Sequence, residues 1–467
     1  MKTCIKNLFL LPALIVGLDL IQTDPTTAQI FTNLHSFTAF DGAYPEAGLI
    51  LSGTTLYSTT YSGGGSSGDG TVFKINANGT GFRNLHSFTA NSDGANSQAG
   101  LILSGTTLYG TARNGGSSGN GTVFAVNTDG TGFTNLHNFT ALFNSTNSEG
   151  VHPYAGLVLS GNTLYGTCYQ GGNSHRGTVF AVNTDGTGFT NLHSLISGEG
   201  EDPAAGLILA GNTLYGTAVG FGTLGLGTVF ALNTNGSSFT NLHVFTNTSG
   251  PLSTNTDGAT PFAGLILSGN TLYGTTSEGG GSGYGTVFAV NTDGTGFTNL
   301  HWFTNGSDGA NPNAGLTLSG NTLYGTAYAG GSLGNGTVFA VNTDGTGFTT
   351  LHSFDFSSEG GYPLAGLILS GNTLYGTAQG GTSGVGMVFS LSLLPPLLTI
   401  IPYGVHVIVS WPTNTPTPPA GFTLKSTTNL VSPSVWSIVS PGPVIVNGQN
   451  AVTNLISGAQ QFYRLSQ

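Results

Sequence analysis

The sequence predicts an all-β chain: a seven-bladed β-propeller closed by an N-terminal strand, followed by a small β-sandwich domain. Three observations carry this expectation. A unit of about 50 residues recurs seven times, its third strand is apolar on both faces, and one strand stands alone ahead of the first complete unit.

Composition sets the class. The chain has 77 glycines in 467 residues and only 6% charged residues, against about 25% in ordinary globular proteins. So few charges exclude a disordered polyelectrolyte, a coiled coil and a basic nucleic-acid binder. Glycine without a strict triplet period excludes collagen. The net charge of −11 gives no reason to expect anionic partners. Thr, Ser, Asn and Gly beside 28 Phe and 16 Tyr favour short strands joined by tight turns.

At the N-terminus, Lys2 and Lys6 precede an apolar run over 8–21, and Thr26-Thr27-Ala28 offers a small-residue cleavage site. Residues 1–28 therefore read as a secretory signal peptide, with a secreted, extracellular or cell-surface address. The run is short and interrupted by Pro12 and Asp19, so no stable membrane span is expected after its removal. Cys168 is then the sole cysteine of the mature chain. Its position holds Ala or Thr in the sister repeats, which favours a small buried residue over a nucleophile.

Residues 29–392 carry the repeats. Leu-Tyr-Gly-Thr recurs at Tyr57 (where Ser58 replaces the glycine), Tyr109, Tyr165, Tyr215, Tyr273, Tyr324 and Tyr375. Leu-His pairs at His35, His86, His137, His193, His243, His301 and His352 give the same count, as do the seven Val-Phe segments from Phe73 to Phe389. Each unit reads as four strands, a to d; in the fifth they span 263–268, 271–276, 285–291 and 297–303. Strand c puts Thr286, Phe288 and Val290 on one face and Val287 and Ala289 on the other, so both faces need cover from neighbouring sheets. Four-stranded sheets arranged around an axis meet that need. A strand d over 31–37 precedes the first unit, and the seventh unit lacks one. Closing a ring would pair the two ends.

After a linker over 393–398, residues 399–467 show short strand-like runs at 405–411, 422–426, 435–439, 444–446 and 462–465. They are expected to form a small immunoglobulin- or fibronectin-like β-sandwich.

The sequence pattern [Asp/Glu]-Gly-x-x-Pro-x-Ala-Gly-Leu, then Asn-Thr-Leu-Tyr-Gly-Thr, Gly-Thr-Val-Phe and Leu-His-x-Phe, resembles the bacterial GloVer tandem repeat, named for Gloeobacter and Verrucomicrobia. The resemblance covers about 31–391. The layout is also similar to kelch: Gly-Gly follows strand b, and the c–d hairpin ends near an aromatic such as Phe133 or Phe297. The C-terminal module resembles the one that ends many secreted Verrucomicrobial proteins with Phe-Tyr-Arg-Leu. These likenesses imply fold and address, and no chemistry.

In such a ring the d–a and b–c loops share one face. Eleven acids lie in the d–a loops, offset by Arg113 and Arg176, whereas the opposite face is built of near-identical turns. Function is expected on the loop face. One acid recurs in every repeat: Asp41, Asp93, Glu149, Glu199, Asp257, Asp308 and Glu359. Each either caps its own turn or bonds the repeat's histidine, or else the seven form a carboxylate ring for Ca²⁺ or another hard cation. A repeated acid favours the turn role. Glu199, Glu201 and Asp202 are the one dense metal candidate, and no other cofactor is expected. The seven histidines sit on outer strands too far apart for a shared metal, which favours bonds within their own blades.

Aromatics among Asn, Ser and Gly suit sugar rings. Tyr44, Tyr154, Phe262 and Tyr362 are read as one equivalent loop position, and Tyr61, Tyr169 and Tyr328 as another, after strand b. No Gly-x-Ser-x-Gly elbow, His-Glu-x-x-His or Walker loop occurs. The expectation is a monomeric, non-catalytic binding or scaffold module for a glycan or cell-surface protein, without nucleic acid. The alternative is a carbohydrate-active enzyme using two carboxylates of the acidic face.

Overall fold

The computed structural model describes residues 30–141, 147–222, 225–250, 252–381 and 383–393. Farther on it describes 399–403, 406–412, 423–427, 437–440, 444–446, 449–455 and 462–466. The expected signal peptide and linker residues 394–398 lie outside these. The regular structure among the described residues is all strand, and no helix is long and apolar enough to cross a membrane.

Seven four-stranded antiparallel sheets form the repeat array, each in the order a-b-c-d. In the fifth the strands are Ile266–Ser268, Thr271–Thr276, Thr286–Asn291 and Thr298–Trp302. The seventh takes Ile368–Ser370, Thr373–Ala378 and Met387–Ser392 from the end of the array and Ile30–Ser36 from its start. That pairing runs from Ile30 opposite Ser392 to Ser36 opposite Met387.

Each sheet packs on the next through one repeated seam. Tyr273, Val287 and Phe303 of the fifth sheet meet Leu323, Phe339 and Val341 of the sixth, all buried. Phe37 and Val388 of the seventh meet Leu56, Phe73 and Ile75 of the first in the same way. A buried strand-b threonine crosses every seam to donate to an alanine carbonyl: Thr59 to Ala99, Thr111 to Ala155, Thr167 to Ala205, Thr217 to Ala263, Thr275 to Ala314, Thr326 to Ala365 and Thr377 to Ala47. All seven bonds measure 3.0–3.3 Å. One residue on, seven glycines approach each other so closely that a Cβ on Gly156 or Gly366 would stand 3.0 Å from the preceding glycine's carbonyl oxygen. The last member of each series reaches the first, so the array of sheets is cyclic and propeller-like.

Two features shared by the repeats depart from the sequence reading. Strand a is half as long as expected, because residues such as Ala263 turn their carbonyls to the preceding sheet rather than to strand b. Strand d carries a bulge: Val287 pairs with His301 but Phe288 with Asn299, leaving Leu300 unpaired. A bulge re-aims side chains. Here it lets Leu300 and its neighbour His301 both face the sixth sheet.

The C-terminal segment forms two sheets. One contains Thr399–Tyr403, His406–Pro412, Gln449–Leu455 and Val444–Val446; the other contains Ser437–Ile438, Thr423–Thr427 and Phe462–Ser466. Val409, Leu424, Val439 and Val452 form a common core. The strands at 399–403 and 449–455 are additions to the sequence reading; Pro402 and the polar run Gln449-Asn450 hid them.

Phe37 tests the closing seam. It is fully buried, and Phe37→Ala should cost about 3–5 kcal/mol, as the equivalent Phe245→Ala should. Chemical denaturation compares the two; a near-neutral Phe37→Ala would make the N-terminal strand an appendage. Deleting 29–40 should destabilise the array more than deleting 397–467.

Candidate functional site

The repeated acids are built into the seams. Six pair with the histidine of the preceding strand d at 2.7–3.2 Å, and Glu149 approaches His137 at 3.4 Å. Each carboxylate also accepts a backbone N–H at the start of its loop, as Asp41 does from Thr38 and Asp308 from Thr304. The two roles weighed from sequence therefore coexist. The histidine is not confined to its own sheet, however. Its ring stacks on a phenylalanine of the next one, His86 on Phe133 at 3.6 Å and His301 on Phe348 at 3.6 Å. Phe31 supplies this ring to His352 at 4.5 Å, completing the cycle. Burial pushes the imidazoles of His35, His86, His137, His301 and His352 below the ordinary histidine range, against the pull of their acids.

Past the acid and its glycine, the fourth loop residue adopts a left-handed conformation in every repeat. Tyr44, Asn96, His152, Asp202, Thr260, Asn311 and Tyr362 have φ between 52° and 60°. Such a φ is uncommon outside glycine. It persists because each N–H donates to a b–c loop carbonyl of the preceding sheet, as Asn96 does to Asp69 and Tyr44 to Val385. The backbone is thus the same seven times, while the side chain differs.

The sixth loop residue converges on a common centre. Glu46, Gln98, Tyr154, Phe262, Asn313 and Leu364, one from each of six repeats, line a cavity of about 210 Å³. The seventh equivalent, Ala204, is small and buried. Gln98 donates one amide to the Glu46 carboxylate, and Gln379 donates another at 3.1 Å. Arg113 donates to the Gln98 carbonyl oxygen at 3.3 Å and lies 5.2 Å from the centre of the Tyr154 ring. Burial raises the Glu46 carboxyl above its ordinary range, against these amides and Arg113. Tyr154 is raised as well, first by burial and then by Glu46.

The structure divides the aromatics singled out from sequence. Tyr44 and Tyr362 occupy the fourth position, whereas Tyr154 and Phe262 occupy the sixth, so the four are not equivalent. Two of them, Tyr154 and Phe262, line the cavity. Tyr169 stands beside Tyr154, with ring centres 5.8 Å apart. Tyr328, Tyr362 and Phe356 form another group, Tyr328 and Tyr362 lying 5.1 Å apart. Tyr61 donates its backbone N–H to Tyr44. Sequence reasoning singled out none of Glu46, Gln98, Asn313, Leu364 and Gln379, and placed Arg113 on the loop face without a role. Aligning the seven loops residue by residue would have exposed the variable sixth position.

The dense acidic loop points three ways. Glu199 bonds His193, Glu201 pairs with Arg176, and Asp202 lies toward Tyr169. Among the described residues no three side chains gather as a metal site. Cys168 is buried, and burial pushes its thiol well above the ordinary range.

The Gloeobacter/Verrucomicrobia repeat model matches residues 20–147, 138–255 and 251–430. The chain belongs to this repeat family. No curated protein matches the sequence. Solved structures similar to this repeat protein include a puromycin-hydrolyzing peptidase of Mycobacterium tuberculosis, at 12% identity over 83% of this chain and 61% of that one, with a TM-score of 0.50. The chain thus spans about three fifths of that peptidase. An oligogalacturonate lyase from Vibrio parahaemolyticus matches at 11% identity over 79% and 95% of the two chains, TM-score 0.49. TolB from Acinetobacter baumannii matches at 10% over 59% and 58%, TM-score 0.37. At such identities the likeness to the peptidase is one of fold alone.

The five histidines with lowered values bind protons less readily folded than unfolded. Their contribution to stability is present above about pH 6.5 and is lost as pH falls from there toward the folded values. The thermal midpoint should therefore drop between pH 7 and pH 5; a flat profile would contradict the seam electrostatics. Asp308→Asn should cost about 0.5–1.5 kcal/mol, and calcium should leave the melt unchanged. A large calcium shift that survives Glu201→Gln plus Asp202→Asn would reveal an ion site away from that loop.

Proposed function

We propose that the chain is a secreted, monomeric seven-bladed β-propeller with a small β-sandwich after it, acting as a non-catalytic binding or scaffold module for a glycan or surface protein. The observation that carries this reading is the loop face itself. Its backbone repeats seven times, yet the side chains at the fourth and sixth positions differ from repeat to repeat. A fixed frame bearing variable side chains suits recognition. The cyclic threonine and glycine series supports the seven blades, and the common core of the two C-terminal sheets supports the sandwich.

A glycan fits best. Aromatic rings beside amides and a carboxylate offer both surfaces that a sugar presents, its C–H face and its hydroxyls. Hydrolysis by paired carboxylates needs a second acid within about 5–10 Å of the first. The cavity lining brings one, Glu46, and each of its oxygens is held by one amide.

A glycan array on the mature chain, run beside a hydrolysis screen on the same glycans, tests the reading. Binding without turnover is expected. Turnover abolished by Glu46→Gln would establish an enzyme instead.

A further inference from the structure

The cavity at the centre of the loop face has a shape and a division of chemistry that narrow its ligand. We infer that it takes the terminal pyranose ring of a neutral glycan, with Phe262 against the C–H face of the sugar and Glu46, Gln98 and Asn313 on its hydroxyls. This deepens the binding reading above and rests on it.

Size comes first. Pockets for drug-sized ligands run to about 300–1,000 Å³, and this one measures about 210 Å³. That is room for one ring. The walls come next. Glu46, Gln98 and Tyr154 belong to three consecutive repeats and form a polar arc; Phe262 and Leu364 give the other side an apolar character, with Asn313 between them. A pyranose has the same division, one apolar face and a rim of hydroxyls.

Hydrogen-bonding capacity agrees. Each Glu46 oxygen receives one amide and keeps a lone pair for a hydroxyl donor. Asn313 brings both a donor and an acceptor. Charge selects a neutral sugar. The site holds one carboxylate, Glu46, and one guanidinium, Arg113, linked through Gln98. A uronate or sialate would meet Glu46 on the cavity wall, and Arg113, linked to Glu46 through Gln98, balances the charge that a cationic amino sugar would seek.

Topology selects a chain end. The lining comes from six repeats spread around the cycle, so side chains surround the cavity laterally. An internal sugar needs two exits through that wall. A terminal sugar needs none, because it enters along the axis.

The test uses the full mature chain against neutral oligosaccharides with free or O-methylated non-reducing ends, with affinities from calorimetry and folding followed by melting. Free-ended glycans should bind, the methylated forms should bind at least tenfold more weakly, and the matching monosaccharide should compete. Phe262→Ala and Gln98→Ala should each lower affinity at least tenfold while the melting curve holds. Ala204→Trp, which fills the cavity from the unoccupied side, should abolish binding. Glycans that bind equally well when capped, or that bind all three variants unchanged, would overturn the pocket assignment and leave the general binding reading standing. Tighter binding of uronate- or sialate-ended chains would overturn the neutral assignment. Failure of the unaltered protein to bind any glycan would overturn the glycan reading itself.

Discussion

The structure depends on one constraint: strand c is apolar on both faces, so no sheet of this array can be stable alone. Val287 and Phe288 lie on opposite faces of the fifth sheet and both are fully buried, each against a different neighbour. An open array would leave one such face in water at either end and would need polar capping units. Closing the cycle removes the ends. The strand at Ile30–Ser36 does so fully, bringing Phe37 to the core of the closing seam, Phe31 to the ring of His352 and a hydrogen-bonded edge to Met387–Ser392.

That demand explains where the charges went. A chain with 6% charged residues places an acid in all seven d–a loops, and each is committed to a histidine and to a backbone N–H. A carboxylate held by two donors is pre-engaged for structure, and its nearest equivalents belong to other seams. The acids that look most like a functional ring in sequence are thus the ones the fold uses most completely. Work done by main chain and by invariant seam residues releases the fourth and sixth loop positions. The fourth accepts a left-handed φ that costs on the order of 1–3 kcal/mol for residues such as Thr260, offset by an inter-sheet hydrogen bond that any side chain permits.

Much of the architecture was legible because it is written seven times. The repeat count, the order of strands and the displaced strand d follow from motifs that each recur with the same phase. The site was far less legible. Tyr44 and Tyr154 differ by two places in the loop, and only the handedness of the fourth residue decides that one turns outward while the other reaches the centre. Nothing in an x-x-Pro-x pattern states that handedness. The strand-d bulge was hidden for a related reason: Leu300 and His301 are adjacent, and simple alternation would send them to opposite faces. Gln379 and Arg113, just past the ends of their b strands, hold Glu46 and Gln98 of the lining, so no single loop contains the site.

Symmetry and recognition pull against each other in such a molecule. Seven identical side chains at the sixth loop position would make a sevenfold-symmetric ring, which matches no ordinary asymmetric ligand. Replacing those side chains one by one leaves the apolar seams intact, since none of them belongs to the buried clusters between sheets. The outcome here is graded around the cycle: carboxylate, amide and phenol over the first three repeats, a methyl at Ala204, then an aromatic ring, an amide and an aliphatic chain. The methyl matters as much as the larger groups. A cavity of about 210 Å³ exists because one wall stays back, and a seventh large side chain would fill the space the other six enclose. On the binding reading proposed above, recognition at the axis rests on the differences between repeats, and the frame that holds those differences is a property of their likeness.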